Sequence, residues 1–107
     1  MGQVNLAWTN ETNVNIDFTQ VVHRKVGEEG TWEATTLVVE PDTDTGEFAF
    51  KAVDNTVDAI ENPADVEVSY KVIITGADDV TIESNIAVAT VPGNLDSVND
   101  LTATYQA

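Results

Sequence analysis

The sequence contains no cysteine, only four lysine and arginine residues, and a single histidine. Without cysteine the chain can form neither disulfides nor thiolate metal sites. Nineteen acidic residues against four basic ones give a net charge of −15. This charge argues against nucleic acid or an anionic membrane as a partner, because phosphate groups would be repelled. No apolar run approaches the roughly 18 residues of a membrane span, so we expect no membrane insertion.

Length and hydropathy narrow the class of protein further. A chain of 107 residues corresponds to one domain with one core, and a hydrophobic share of 42% is ordinary for a globular protein. The acidity indicates a solvated surface in a salty or extracellular setting, with some self-repulsion at low salt. The chain is therefore interpreted as an extracellular or cell-surface module.

Groups that could carry out catalysis are scarce. His23 lies between Val22 and Arg24 in a predicted strand, and no nucleophile-elbow pattern accompanies it. We expect His23 to be a surface residue, and we expect no catalytic residues, no cofactor and no enzymatic activity.

Acidic loops give a weak indication of calcium binding. The acids near Gly46 and Gly76 do not follow the spacing of the twelve-residue EF-hand loop. The alternative is that they are turn residues that cap their own backbone. The weak calcium candidates are Asp42, Asp44, Asp78 and Asp79.

Alternation of apolar and polar residues with a period of two dominates the chain, and valine and threonine abound. Both features are typical of β-strands, and no window has a convincing helical period. Six alternating segments separated by turns are followed by a seventh at residues 101–105. The clearest alternation is Val66, Val68, Tyr70, Val72 and Ile74. The pattern predicts an all-β sandwich.

Several of these segments resemble the strands of a fibronectin type III module. Residues 4–9 resemble strand B of that family, and residues 21–25 followed by 30–32 resemble strand C and the start of the next strand. Residues 70–74 resemble strand F, and residues 84–88 resemble strand G. The resemblance implies a seven-strand immunoglobulin-like sandwich in which Trp8 and Trp32 pack in the core.

The chain departs from this family in the order of its strands. A segment with the character of strand A stands after strand G, so the predicted order is B-C-C'-E-F-G and then A. The predicted organisation is a sandwich lacking strand A at 1–91, a spacer at 92–100 and an A-type strand at 101–107. The A-type residues are Leu101, Thr102, Ala103, Thr104 and Tyr105.

The displaced strand leads to a functional hypothesis. To complete its own sandwich, the spacer would have to return along the full length of a strand, roughly 27 Å. Its nine residues reach about 30 Å when fully extended, so completion within one chain is only marginally possible. Donation to the next copy is easier, and it would build an open head-to-tail chain. The predicted acceptor edge is Val4, Asn5, Leu6, Ala7 and Trp8.

The sequence is also compatible with two other functions. The strand could fold back to give a monomeric, circularly permuted module. A carbohydrate- or protein-binding module of a secreted or surface protein is a further alternative, with the ligand held at the loops. Trp32 is the candidate aromatic platform for a sugar.

Overall fold

The computed structural model describes residues 2–11, 17–57, 60, 64–93 and 100–107. Within these residues the chain forms strands, turns and short 3-10 turns, with no α-helix, which confirms the predicted all-β class. The strands in the described ranges are β1 (Val4–Thr9), β2 (Thr19–Val26), β3 (Glu33–Ala34), β4 (Glu40–Pro41), β5 (Ala49–Asp54), β6 (Val66–Thr75), β7 (Thr81–Glu83) and β8 (Ala87–Val91).

The strands form two antiparallel sheets. In the first sheet the order is β1-β5-β4, and β1 is paired with β5 from Val4 opposite Asp54 to Thr9 opposite Ala49. In the second sheet the order is β3-β2-β6, and β6 carries both β7 and β8 along its other edge. The architecture is consistent with a β-sandwich.

Side chains from both sheets meet in one core. In β6 the buried residues Val68, Tyr70 and Val72 alternate with less buried neighbours, as the sequence pattern predicts. They pack with Val22 of β2 and Ala52 of β5. Burial of each large apolar side chain contributes about 1.5–3 kcal/mol, so this alternating face supplies much of the energy that holds the sheets together.

The apolar run at residues 32–39 predicts a long strand, but only Glu33–Ala34 is paired as one. Immediately afterwards, the backbone N–H and the hydroxyl of Thr35 both donate to the Val22 carbonyl oxygen, at 2.9 and 2.8 Å. The chain then passes from the second sheet to β4 of the first, while Leu37 and Val39 pack against the core. The apolar character of the run therefore reflects core contacts made by a crossing segment.

The alternation of Ile16, Phe18 and Gln20 in the sequence predicts a strand, of which Ile16 lies outside the described residues. Its continuation appears as β2, which begins at Thr19. Within the described ranges, no helix has the length and apolar character needed to cross a bilayer.

Candidate functional site

The first strand, β1, lies at the edge of its sheet. It is paired with β5 along one side, and no strand in the described part of the chain is paired along its other side. Along β1 the half-buried residues Val4, Leu6 and Trp8 alternate with exposed ones. The edge therefore offers backbone groups for pairing and an apolar row that faces the core.

An open cleft lies beside this edge, between β1 and the connection from β7 to β8. Its volume is about 200 Å³. An engineered apolar cavity of about 150 Å³ binds benzene, so the cleft has room for a leucine or an aromatic side chain. The residues that line it on the core side are Leu6, Trp8, Val22, Tyr70 and Val72, and Ala87 borders it on the β8 side.

Hydrogen bonding and stacking fix the position of Trp8 at this cleft. Its indole Nε1–H donates to the Gln20 Oε1 atom at 2.9 Å, and the Asn10 side-chain amide donates to the same oxygen at 3.0 Å. The Trp8 ring stacks on Phe50 with centroids 6.3 Å apart and 21° between the planes. The polar atom of the indole is satisfied by Gln20, so the ring presents an apolar wall to the cleft.

A buried carboxylate ties the other end of this edge to the second sheet. Asp54, opposite Val4 in the β1–β5 ladder, is 0% exposed. Its Oδ2 atom accepts hydrogen bonds from Arg24 Nη1 at 2.8 Å and from the Tyr70 hydroxyl at 2.7 Å. Its Oδ1 atom accepts from the backbone N–H and the hydroxyl of Thr56, at 3.0 and 2.6 Å. The carboxylate thus joins β5 to both β2 and β6.

These contacts set the protonation of the cluster. Burial alone would raise the pKa of Asp54, but the hydrogen bonds from Thr56, Tyr70 and Arg24 outweigh it and lower the pKa from 3.8 to about 2. Burial raises the pKa of Tyr70, and the hydrogen bond to the Asp54 anion and its charge raise it further. Asp54 is therefore ionised and Tyr70 neutral at physiological pH, which suits a structural connection between the sheets.

Asp54 is not among the site residues predicted from the sequence, although the alternation of β5 places it. The inward-facing positions Phe48, Phe50 and Ala52 continue by the same period to position 54. An acid at the next inward position implies a buried partner, and Arg24 stands two residues after the inward-facing Val22. The alternation of β2 and β5 thus places both members of the ion pair between the sheets.

The predicted donor residues, Leu101 to Tyr105, lie in a segment that forms no strand in this chain. Residues 100–107 are exposed throughout, with Leu101 86% and Tyr105 90% exposed. The chain has a radius of gyration of 19.6 Å and a longest dimension of 82 Å, whereas a compact domain of this length has a radius of about 13 Å. The segment is thus available for contact. Of the predicted spacer, residues 94–99 lie outside the described residues.

The acidic calcium candidates lie in turns. The side chain of Asp42 accepts a hydrogen bond from the Thr45 hydroxyl at 2.8 Å. Asp78 and Asp79 lie within the short 3-10 turn Ala77–Asp79, and both have φ of 60°. Asp44 lies in the same turn as Asp42. Across the residues that the structure describes, no group of three or more His, Asp or Glu side chains is arranged to hold a metal ion.

Trp32 does not join the core cluster, contrary to what the resemblance implies. It is half-buried, and its ring lies under two ammonium groups: the Nζ atoms of Lys25 and Lys71 are 5.4 and 4.5 Å from the ring centroid. Both are cation–π contacts, and the role of Trp32 as a platform for a sugar stays a prediction. His23 is half-buried in β2, opposite Lys71 of β6.

The geometry brings the predicted acceptor residues together as one edge, and it leaves the predicted donor residues exposed. It does not gather His23, the acidic turns and Trp32 into one site. Comparisons of the chain with protein-family models, with curated proteins and with solved structures find no match.

Proposed function

We propose that this protein is a non-catalytic structural or adhesive module that assembles head to tail by strand donation. Residues 101–107 of one copy pair with the β1 edge of the next and cover its cleft. The observation that carries the proposal is an edge strand with no partner on one side among the described residues, above a cleft whose lining is mostly apolar. The same chain also holds an exposed, alternating segment. The partner is a second copy of the same chain.

The order of the strands supports a fibronectin type III-like relationship with one strand missing. In immunoglobulin-like sandwiches, strands A, B, E and D form one sheet and C, F and G the other. Here β1, β5 and β4 match B, E and D, while β2, β6 and β8 match C, F and G. In this assignment the vacant place beside β1 is that of strand A, for which residues 101–105 have the fitting sequence.

The composition of the edges also supports donation to β1. Natural sheets protect exposed edges with charges, proline or very short strands. The edge strands β3, β4 and β7 have two or three residues each and contain Glu33, Glu40 with Pro41, and Glu83 respectively. By contrast, β1 has six residues with no charge and no proline. Strand β8, which is paired only with β6, also lacks both over its five residues, so the cleft beside β1 is what distinguishes the two edges. An edge left in this state is suited to pairing with another strand.

The charge distribution allows the two segments to meet despite the acidity of the chain. The first charged side chain in the sequence is that of Glu11, and the last is that of Asp100. Residues 2–10 and 101–107 therefore add no like-charge repulsion at the contact itself, although each whole copy carries a net charge of −15.

Burial of the donor side chains supplies a driving force. Leu101 and Tyr105 expose most of their surface, and full burial of a leucine-sized side chain contributes about 1.5–3 kcal/mol. Each ladder hydrogen bond adds a net contribution of about 0.5–1.5 kcal/mol. These gains oppose the entropy lost on ordering the segment, so we expect assembly to depend on concentration.

The first test compares the intact chain with a variant that lacks residues 98–107. Light scattering and electron microscopy at high protein concentration and high salt should detect linear assemblies of the intact chain and only monomers of the truncated one. A synthetic peptide of residues 98–107 should cap growth of the intact chain, whereas a scrambled peptide should not. An intact chain that stays monomeric under these conditions would refute the proposal.

Two neighbouring substitutions give a matched test of the donor strand. Ala103→Asp places a charge on the face of the strand that Ala103 shares with Leu101 and Tyr105. Thr104→Asp places the same charge on the opposite face. We expect Ala103→Asp to abolish assembly and Thr104→Asp to leave most of it. Equal effects of the two substitutions would contradict pairing as a strand.

Several expectations from the sequence enter this proposal. The net charge supports the absence of a nucleic-acid partner and fits an extracellular or cell-surface location. A monomer with its own segment docked on β1 would instead identify a circularly permuted module. Binding on a glycan array, together with a monomeric state, would favour a carbohydrate-binding role.

A further inference from the structure

Strand directions fix where the chain leaves the sandwich. We call the end at which β6 begins, at Val66, the lower end, and the end at which β6 finishes, at Thr75, the upper end. Strand β8 is antiparallel to β6, and its last residue, Val91, lies opposite Val66. The chain therefore leaves the sandwich at the lower end and enters the spacer there.

The direction of β1 follows from its side-chain contacts with the second sheet. Trp8, near the end of β1, donates to Gln20, which lies opposite Ile74 near the upper end of β6. Val4, at its start, lies opposite Asp54, which accepts from the Tyr70 hydroxyl nearer the lower end. Strand β1 therefore runs from the lower end to the upper end.

The donated strand could run parallel or antiparallel to β1, and the strand directions above imply a different assembly in each case. A donor strand parallel to β1 would begin at the lower end of the acceptor, so two copies would meet by their lower ends and could close as a symmetric pair. A donor strand antiparallel to β1 would begin at the upper end, so the lower end of one copy would meet the upper end of the next. Only the second arrangement continues without closure.

The exposed state of residues 100–107 distinguishes the two polarities. A parallel strand could form within one chain, because the spacer would only have to cross between sheets about 10 Å apart, and nine residues reach about 30 Å. An antiparallel strand in the same chain would need the spacer to return along the full height of the sandwich. A segment that stays off its own β1 is what antiparallel pairing leads us to expect.

Pairing within this protein agrees with that polarity. Each of the six strand pairs in the described ranges is antiparallel, and antiparallel pairs are slightly more stable per residue than parallel ones. β1 also already has an antiparallel neighbour in β5, so an antiparallel donor would extend the sheet without a change of type.

The apolar rows then determine the register. Residues directly opposite in an antiparallel pair share one face of the sheet. One alignment places all three apolar donor positions opposite all three half-buried positions of β1, and a shift by two residues would leave one of them without an apolar neighbour. The resulting pairs are Leu101 with Trp8, Ala103 with Leu6, and Tyr105 with Val4.

We infer that the donated segment of a second copy binds antiparallel to β1 in this register, with Leu101 beside Trp8 at the cleft. This inference rests on the proposed strand donation and adds its polarity and alignment. In this alignment Thr102 lies opposite Ala7, and Thr104 lies opposite Asn5. The parallel alternative exchanges these neighbours, so Thr102 would lie opposite Asn5.

Disulfide mapping tests the inference, because the chain has no cysteine of its own. The double variant Ala7→Cys with Thr102→Cys should form disulfides between copies after assembly and oxidation, since opposite residues are about 4.5–5.5 Å apart. In the crossed control, Asn5→Cys with Thr102→Cys, the Cα atoms of the two cysteines would be about 8 Å apart in the antiparallel register. That separation exceeds the roughly 7 Å limit for a disulfide.

The readout is a non-reducing gel, together with light scattering of the reduced proteins. A ladder of covalent multimers from the Ala7 variant and not from the Asn5 variant supports the inference. A ladder from the Asn5 variant alone, or from neither of two assembled variants, overturns the polarity or register and leaves donation intact. A disulfide confined to monomers overturns donation itself. If a variant fails to assemble when reduced, Thr104→Cys replaces Thr102→Cys. Asn5→Cys then supplies the opposite cysteine, and Ala7→Cys becomes the crossed control.

Discussion

Replacement of Asp54 by asparagine tests the connection between the two sheets, because it keeps the shape of the side chain and removes its charge. In the folded protein the carboxylate accepts four hydrogen bonds, from Arg24, Tyr70 and Thr56. An amide in the same place turns one acceptor into a donor and leaves Arg24 without its anion. Breaking a buried ion pair costs about 3–5 kcal/mol. Because the Arg24 side chain left behind is 26% exposed, we expect Asp54→Asn to lower the free energy of unfolding by about 3 kcal/mol at pH 7, the lower end of that range.

The pH dependence of this loss in the free energy of unfolding can be calculated from the pKa of Asp54. The pKa of Asp54 falls from 3.8 to about 2 on folding, which corresponds to about 2 kcal/mol of stability at neutral pH. Because the folded pKa is the lower one, this contribution is complete above pH 3.8 and is lost as the pH falls through about 2. The difference in free energy of unfolding between the wild type and Asp54→Asn should therefore shrink by about 2 kcal/mol between pH 7 and pH 2.

Urea unfolding at a series of pH values measures this difference, with the fluorescence of Trp8 and Trp32 and the far-ultraviolet circular dichroism as probes. Titration of the other carboxylates affects both proteins alike, so it cancels in the difference. A difference that is independent of pH, or one that grows in acid, would refute the reasoning.

Two further variants serve as controls for this experiment. Glu83→Gln removes an ion pair with Lys71 in which the acid is 56% exposed, and surface pairs of this kind contribute up to about 1 kcal/mol. Tyr70→Phe keeps the Asp54 charge and removes one of its four donors, which should cost about 1 kcal/mol. We expect the order of destabilisation to be Asp54→Asn, then Tyr70→Phe, then Glu83→Gln.

Two other predictions follow from the turns and the charge. A Cβ atom at Gly30 would lie 2.2 Å from the Val26 carbonyl oxygen, whereas a Cβ at Gly46 would meet nothing within 4 Å. Thermal unfolding should therefore reveal a loss of about 1–3 kcal/mol for Gly30→Ala and no loss for Gly46→Ala. Each copy carries a net charge of −15, so light scattering should detect more assembly as salt rises from 0.01 to 1 M and the screening length falls from about 30 to about 3 Å. Assembly that weakens with salt would contradict a contact between uncharged segments of like-charged copies.

Sequence patterns predict the strands well wherever one face is buried. The alternation of Val68, Tyr70 and Val72 follows from the geometry of a strand, and the structure buries those three residues. The interruption between β7 and β8 is less visible in the sequence. There the Val72 backbone N–H donates to the Ser84 hydroxyl at 2.8 Å, and the Ser84 backbone N–H donates to the Val72 carbonyl at 2.9 Å. A polar side chain thus takes the place of a ladder contact, which depends on tertiary structure.

Some parts of the candidate site can likewise be predicted from the sequence, and others cannot. The acceptor residues Val4, Leu6 and Trp8 can be named from their alternation alone, because the apolar row belongs to one strand. The cleft cannot be inferred that way, since it arises from Tyr70, Val72 and Ala87 on other strands. Trp32 shows a further limit: its ring contacts two lysine ammonium groups, and a composition-based reading cannot distinguish that environment from a core.

The open cleft would also determine which copy of a linear assembly unfolds first on heating. In any linear assembly, one terminal copy keeps an uncovered β1, so its Leu6 and Trp8 stay in contact with water while those of every interior copy are covered. That terminal copy would be the least stable member and the first to unfold. Its loss would release the segment that covers its neighbour, so melting would proceed inward from one end. The midpoint of thermal unfolding would then report on filament length as well as on the fold.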